Sequence, residues 1–105
     1  MEVIYWNNKT EKFVTDLDSS IRARVDRTMK TLEELGHLID MPDSKSLGKG
    51  LFELRTHGKN QVRLLYVYKN NRAYIIHGFI KKAWKISHGE IEYARRVQKE
   101  VISFA

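Results

Sequence analysis

Leu51-Phe52-Glu53-Leu54-Arg55-Thr56, then Val62-Arg63-Leu64-Leu65-Tyr66-Val67-Tyr68, then Ala73-Tyr74-Ile75-Ile76-His77-Gly78-Phe79-Ile80, are three strand-like runs within residues 51–80. The first alternates, with Phe52 and Leu54 on one face, and the second is almost entirely branched or aromatic. His57-Gly58-Lys59-Asn60 and Lys69-Asn70-Asn71-Arg72 separate the runs; both are hairpin-length and rich in turn residues. The stretch predicts an antiparallel meander.

Upstream, Ile21, Val25, Met29, Leu32 and Leu35 recur at three- and four-residue spacing, which is the period of a helix with one apolar face. Asp18-Ser19-Ser20 offers N-cap side chains and Gly36 a C-terminal stop, while Arg22, Arg24, Arg27, Lys30 and Glu33 occupy the solvated face. Residues 10–17 read as a shorter helix carrying Phe13, Val14 and Leu17, and residues 2–6 as a short first strand. From His37 to Gly50 the residues are those of a loop: Asp40, Pro42, Asp43, Ser44, Ser46, Gly48 and Gly50. Beyond the meander, Ser87-His88-Gly89-Glu90 fits a Ser-x-x-Glu capping box, and Ile91, Ala94, Val97 and Val101 form a helical stripe. The expected order is β-α-α-β-β-β-α. It describes a single α+β domain over residues 1–105, an antiparallel sheet with helices packed on it.

The composition agrees and closes off several functions. The 105 residues suffice for one core, and the 42% apolar and 30% charged content is that of a soluble globular protein. With no cysteine there is no disulfide framework, thiol nucleophile or thiolate metal site. The longest apolar run, Leu64 to Val67 with Tyr68 behind it, is too short to cross a bilayer. Met1-Glu2-Val3-Ile4-Tyr5 lacks the pattern of a signal peptide, so a cytoplasmic protein with no membrane partner is expected. The net charge of +6 is lopsided: residues 1–50 hold eight Lys/Arg against nine Asp/Glu, and residues 51–105 hold eleven against four. Between residues 45 and 85 there are ten basic residues and one acid, Glu53. A one-sided basic segment is the footprint of a polyanion binder, although solubility alone also favours a basic surface.

No phosphate-binding glycine loop, His-Glu-x-x-His or nucleophile elbow is present, and His37, His57, His77 and His88 have no spacing that makes a metal site. No metal and no cofactor are therefore expected. RNA offers a route that needs neither, because the ribose 2′-hydroxyl can attack the adjacent phosphate. The protein must then orient the backbone, neutralise charge growing on the phosphate and move protons. Arginine and lysine serve the second task, and His, Glu, Tyr or a perturbed Lys the third.

Leu51-Phe52-Glu53-Leu54-Arg55, Val62-Arg63-Leu64-Leu65-Tyr66, His77-Gly78-Phe79-Ile80-Lys81-Lys82 and Glu90-Ile91-Glu92-Tyr93-Ala94 together resemble the phage-derived, HigB-like branch of the RelE/ParE toxin superfamily. Leu35-Gly36-His37 and Leu47-Gly48-Lys49-Gly50 fit the same pattern, and His-Gly-Phe-x-Lys-Lys is its most specific part. The resemblance implies a RelE-like fold and the toxin of a type II toxin–antitoxin system. It further implies a metal-independent endoribonuclease acting on messenger RNA, commonly at the ribosome, with a helix-turn-helix antitoxin as partner. Arg63 matches the position of a phosphate-binding arginine, Lys81 and Lys82 a terminal basic pair, and Arg55 the Glu-Leu-Arg element. Glu53 stands where some relatives carry a catalytic lysine, which leaves it either a proton acceptor or an ion-pair partner of Arg55 or Arg63. The residues themselves add His88 as a proton carrier beside the basic cluster. They also add Trp84 and Lys85 as a stacking ring with a neighbouring cation, or else a ring folded over the sheet edge. The expected catalytic set is Arg63, Lys82, His88 and Glu53, with Arg55, Lys81, Trp84 and Lys85 holding RNA. Two other readings keep the fold: a ParE-like inhibitor of DNA gyrase, and a nucleic-acid-binding module without activity.

Overall fold

A computed structural model describes residues 1–58 and 61–104; Lys59 and Asn60 of the expected first hairpin turn lie outside the described residues. The chain forms β1 (Glu2–Tyr5), α1 (Asn8–Thr15), α2 (Ser19–Leu35), a 3-10 turn (Gly36–Leu38), β2 (Ser44–Gly48), β3 (Leu51–Arg55), β4 (Val62–Lys69), β5 (Arg72–Ile80) and α3 (His88–Ser103). One sheet results, in the order β1-β5-β4-β3-β2. β3, β4 and β5 are the antiparallel meander, and β1 joins it parallel to the first half of β5. The α+β class is as the sequence predicts, and the expected elements follow one another in the expected order, with one strand more than expected.

Two local expectations need correction. Part of the stretch read as loop is a strand, since Ser44–Gly48 pairs antiparallel with β3 and puts Lys45 opposite Glu53. β2 is an edge strand of Ser, Lys and Gly with a single apolar residue, Leu47, so its composition reads as loop while its partner supplies the ladder. The capping box also fails to form. Ser87 is the N-cap of α3, but its side chain makes no capping hydrogen bond, and Glu90 turns to His77 instead.

The alternation of the strands sends two sets of side chains to opposite faces. Val62, Leu64 and Tyr66 of β4 pack with Val14 of α1 and Ile21, Val25, Met29 and Leu32 of α2. Leu51 of β3 and Leu65 and Val67 of β4 pack with Ala94, Val97 and Val101 of α3. A bulge in β5 at the Leu65/Tyr66 step, where Leu65 faces His77 and Tyr66 faces Ile75, puts both Ile76 and His77 on the α3 side. Lys69 donates to the carbonyls of Val101 (2.8 Å), Ile102 (3.1 Å) and Phe104, placing a cation at the negative end of α3. Arg95 of α3 donates to the carbonyls of Gly48 (3.0 Å) and Leu47 (3.2 Å), and Gln98 to that of Lys49 (2.8 Å). These bonds tie the β2–β3 turn to the helix. No helix among the described residues is long and apolar enough to cross a membrane.

Gly78 has a packing reason. A Cβ there would sit 2.6 Å from Phe13 Cδ2 and 2.9 Å from Leu64 Cδ2, because α1 lies directly against the β5 backbone. Gly78→Ala is expected to lower stability by about 1–3 kcal/mol through overpacking, read as a lower denaturant midpoint with the slope unchanged.

Candidate RNA-binding cleft

α3 covers the sheet only over part of its length, and the ends of β3, β4 and β5 extend beyond it. Strand register sets what they present. Glu53 lies between Lys45 and Leu65, Arg55 faces Arg63, and Arg63 faces Phe79. Lys81 prolongs β5 by donating its amide to the Gln61 carbonyl at 2.8 Å. Lys45, Glu53, Arg55, Arg63 and Lys81 therefore fall on the α3 side of one sheet end, four cations around one carboxylate. The segment 81–86 then turns back as a wall before α3 begins.

The result is a cleft made of connected hollows. One of about 560 Å³ is lined by Lys45, Arg55, Gln61, Lys81, Lys82, Ala83 and Trp84. An inner one of about 240 Å³ reaches Glu53, Leu47, Lys85, Ile86 and Ile91. A third of about 290 Å³, inside the crook of the wall, is bordered by Lys82, Lys85, Ser87 and Glu90. The structure brings Glu53, Arg55, Lys81, Lys82, Trp84 and Lys85 to one place. Trp84 is 87% exposed, so its ring projects into solvent rather than folding over the sheet edge.

Arg63 stands behind this surface, not on it. Its side chain is 3% exposed, and it donates to the carbonyls of Thr56 (2.9 Å) and Val62 (3.1 Å) and to Gln61 Oε1 (2.9 Å). Burial pulls its guanidinium below the ordinary arginine range, with Glu53 opposing and Arg55 reinforcing the shift. Glu53 is shared: one oxygen lies 3.4 Å from Arg55 Nε and the other 3.7 Å from Arg63 Nε. Neither contact is a hydrogen bond, and Glu53 Oε2, Arg55 Nε and Arg63 Nε are all buried without a partner. Glu53 thus borders the inner hollow with its carboxylate, while Oε2 is sealed on the Arg63 side of it.

His88 is elsewhere. Its side chain is 87% exposed, pairs with Glu92 at 2.7 Å one helical turn on, and lines none of the three hollows. His77, by contrast, is nearly enclosed and bonds Glu90 at 3.1 Å, a satisfied histidine beside the sheet. Two cleft residues escape a reading of the sequence, Lys45 and Gln61. Lys45 sits on the strand taken for loop, where the alternation Lys45-Ser46-Leu47 is its only signal. Gln61 is placed by the ladder continuing past Val62.

The exposed ring gives a direct test. Stacking of a base on an aromatic side chain contributes about 1–3 kcal/mol, so Trp84→Ala should weaken single-stranded RNA binding about 5- to 150-fold. Its thermal midpoint should not move, because the ring packs on little. Fluorescence anisotropy and calorimetry read the two separately.

No curated protein matches the chain. Residues 12–99, which carry every cleft residue named above, match the family described as phage derived protein Gp49-like (DUF891), and the chain belongs to that phage-derived Gp49-like family.

Proposed function

We propose that this protein is the toxin of a type II toxin–antitoxin system and an endoribonuclease that cuts messenger RNA at the ribosome. Family membership supports a toxin, in line with the RelE/HigB-like resemblance of the strand motifs. The observation that carries the chemistry is the cleft: lysines without an ion-pair partner among the described residues and a projecting tryptophan around a carboxylate that borders the inner hollow.

In this reading Trp84 stacks a base, and Lys45, Lys81 and Lys85 hold the flanking phosphates. Arg55 and Lys82 contact the non-bridging oxygens of the scissile phosphate and stabilise the charge that grows there. Glu53, at the edge of the inner hollow, takes the proton of the 2′-hydroxyl as that hydroxyl's oxygen bonds to phosphorus. The 5′-oxygen leaves and takes a proton from water, giving a 2′,3′-cyclic phosphate and a free 5′-hydroxyl, and Glu53 returns its proton to the solvent. Arg63 acts through Glu53, holding it in place from behind, and is a positioning residue. His88 lies outside the cleft and takes no step. The partner is a small helix-turn-helix antitoxin that must neutralise or cover this basic face.

Induced expression in bacteria should halt growth and produce new 5′ ends within translated messages, and Lys82→Ala should abolish both. Growth arrest with DNA-damage signalling and intact messages would overturn this reading in favour of gyrase inhibition. Non-toxic expression with salt-sensitive RNA binding would overturn it in favour of an inactive binding module.

A further inference from the structure

A second basic hollow lies on the same side of the molecule, where α3 meets the β2–β3 turn. It measures about 350 Å³ and is lined by Lys49, Arg95, Gln98, Lys99 and Ile102. No carboxylate of the described residues lines it, and the acids of α3 are engaged elsewhere: Glu90 with His77, Glu92 with His88, and Glu100 with the Trp6 indole at 3.4 Å. The hollow is built by specific bonds. Arg95 spends its donors on the Leu47 and Gly48 carbonyls and on Gln98 Oε1, and Gln98 in turn donates to the Lys49 carbonyl. Lys49 is thereby fixed at the tip of the turn with a positive φ of 51°, a conformation uncommon for a lysine. The bond to the helix fixes the backbone from which the Lys49 side chain leaves the turn.

This hollow lies beyond the cleft along the same strand and helix, and shares no lining residue with it. Lys45 and Leu47 line the cleft, the Leu47 carbonyl binds Arg95, and Arg95 and Lys49 line the second hollow. Along α3 the same path steps by single turns from Ile91 at the cleft to Arg95 and Lys99. From Lys45 to Lys49 the strand covers roughly 13 Å, enough for a nucleic-acid strand to run on beyond the cleft.

We propose that Lys49 and Lys99 form a second binding site for the phosphodiester backbone of single-stranded RNA, engaged by the strand that leaves the cleft. The proposal rests on the cleft being the RNA site. Its ligand class follows from the chemistry: a concave, doubly cationic surface lined by no acid of the described residues, on the strand and helix that lead away from a stacking cleft, suits a repeating anion.

The test uses two 2′-O-methyl RNA oligonucleotides that cannot be cut, one of about four nucleotides and one about twice as long. Their binding to wild-type protein, to a Lys49→Asn/Lys99→Gln double variant and to Lys82→Ala is followed by anisotropy at several salt concentrations. Asparagine tolerates the left-handed backbone at position 49, so the turn is preserved. For the wild type, two extra phosphate contacts steepen the salt dependence with the long oligonucleotide. Between 50 and 200 mM salt it should lose about sevenfold more affinity than the short one. The double variant should erase that difference and leave short-oligonucleotide binding unchanged. Equal salt slopes for both lengths in the wild type, or equal weakening of both by the double variant, would overturn the second site alone. Failure of the wild type to bind either length, or indifference to Lys82→Ala, would overturn the cleft and the second site together.

Discussion

Truncating Glu53 to alanine is expected to cost about 3–5 kcal/mol of folding stability, as measured by denaturant unfolding. The reason is the company it keeps. Among the described residues Glu53 is the only carboxylate within ion-pair distance of Arg63, whose side chain is 3% exposed and whose charged form is disfavoured by burial and by Arg55 across the ladder. Without Glu53, two arginines face each other at the sheet end with nothing between them. A domain of this size has a total stability on the order of 5–15 kcal/mol, so the variant should be close to unfolding at physiological temperature. Glu53→Gln keeps the shape and one acceptor oxygen and should lose less. Combining Glu53→Leu with Arg63→Met should recover part of the loss, because the burden is an unpaired buried charge and not the missing side chain itself. A loss below about 1 kcal/mol for Glu53→Ala would mean that the arginines are not confined as described.

The second large effect is on turnover. Lys82 is exposed, has no ion-pair or hydrogen-bond partner among the described residues, and lines two of the cleft hollows. Removal of a single group that stabilises transition-state charge typically costs about 10²–10³ in rate. Lys82→Ala should therefore lower kcat/KM for RNA cleavage at least about 100-fold, equivalent to about 2.7 kcal/mol of transition-state stabilisation. Its unfolding midpoint should stay at the wild-type value, since no packing is lost. Lys82→Arg should restore part of the rate. Arg55→Ala should show a comparable loss of rate, but with some loss of stability, because Arg55 is only 22% exposed and shares Glu53. A Lys82→Ala protein that cuts RNA at the wild-type rate would remove the lysine from the chemistry.

Local periodicity made much of the fold legible. The apolar spacing from Ile21 to Leu32 and the Gly36 stop locate α2, and the branched, aromatic runs of β3 to β5 announce a meander. β2 stayed hidden because an edge strand bears few apolar residues, and Ser44-Lys45-Ser46 becomes a strand only through β3. The parallel seat of β1 against β5 depends on residues about seventy positions apart, which no local pattern encodes. The basic segment and the Phe-x-Lys-Lys element converge on the end of the sheet where the cleft lies. Alternation placed Arg63 on the correct face, yet alternation cannot say whether that face is covered. At Arg63 the Thr56 and Val62 carbonyls and Gln61 close over the guanidinium. His88 stands apart from the cleft, since nearness in sequence to Lys85 does not turn a side chain toward it when Glu92 one turn away is its partner.

The chemistry turns on whether RNA cleaves itself under this protein's direction. The decisive measurement pairs two ribosome-bound messages, identical except for a 2′-O-methyl group on the nucleotide at the mapped cut. The purified protein should cleave the unmodified message to a 2′,3′-cyclic phosphate and a 5′-hydroxyl, and leave the methylated one whole. Equal cutting of both, or of neither, would contradict the account.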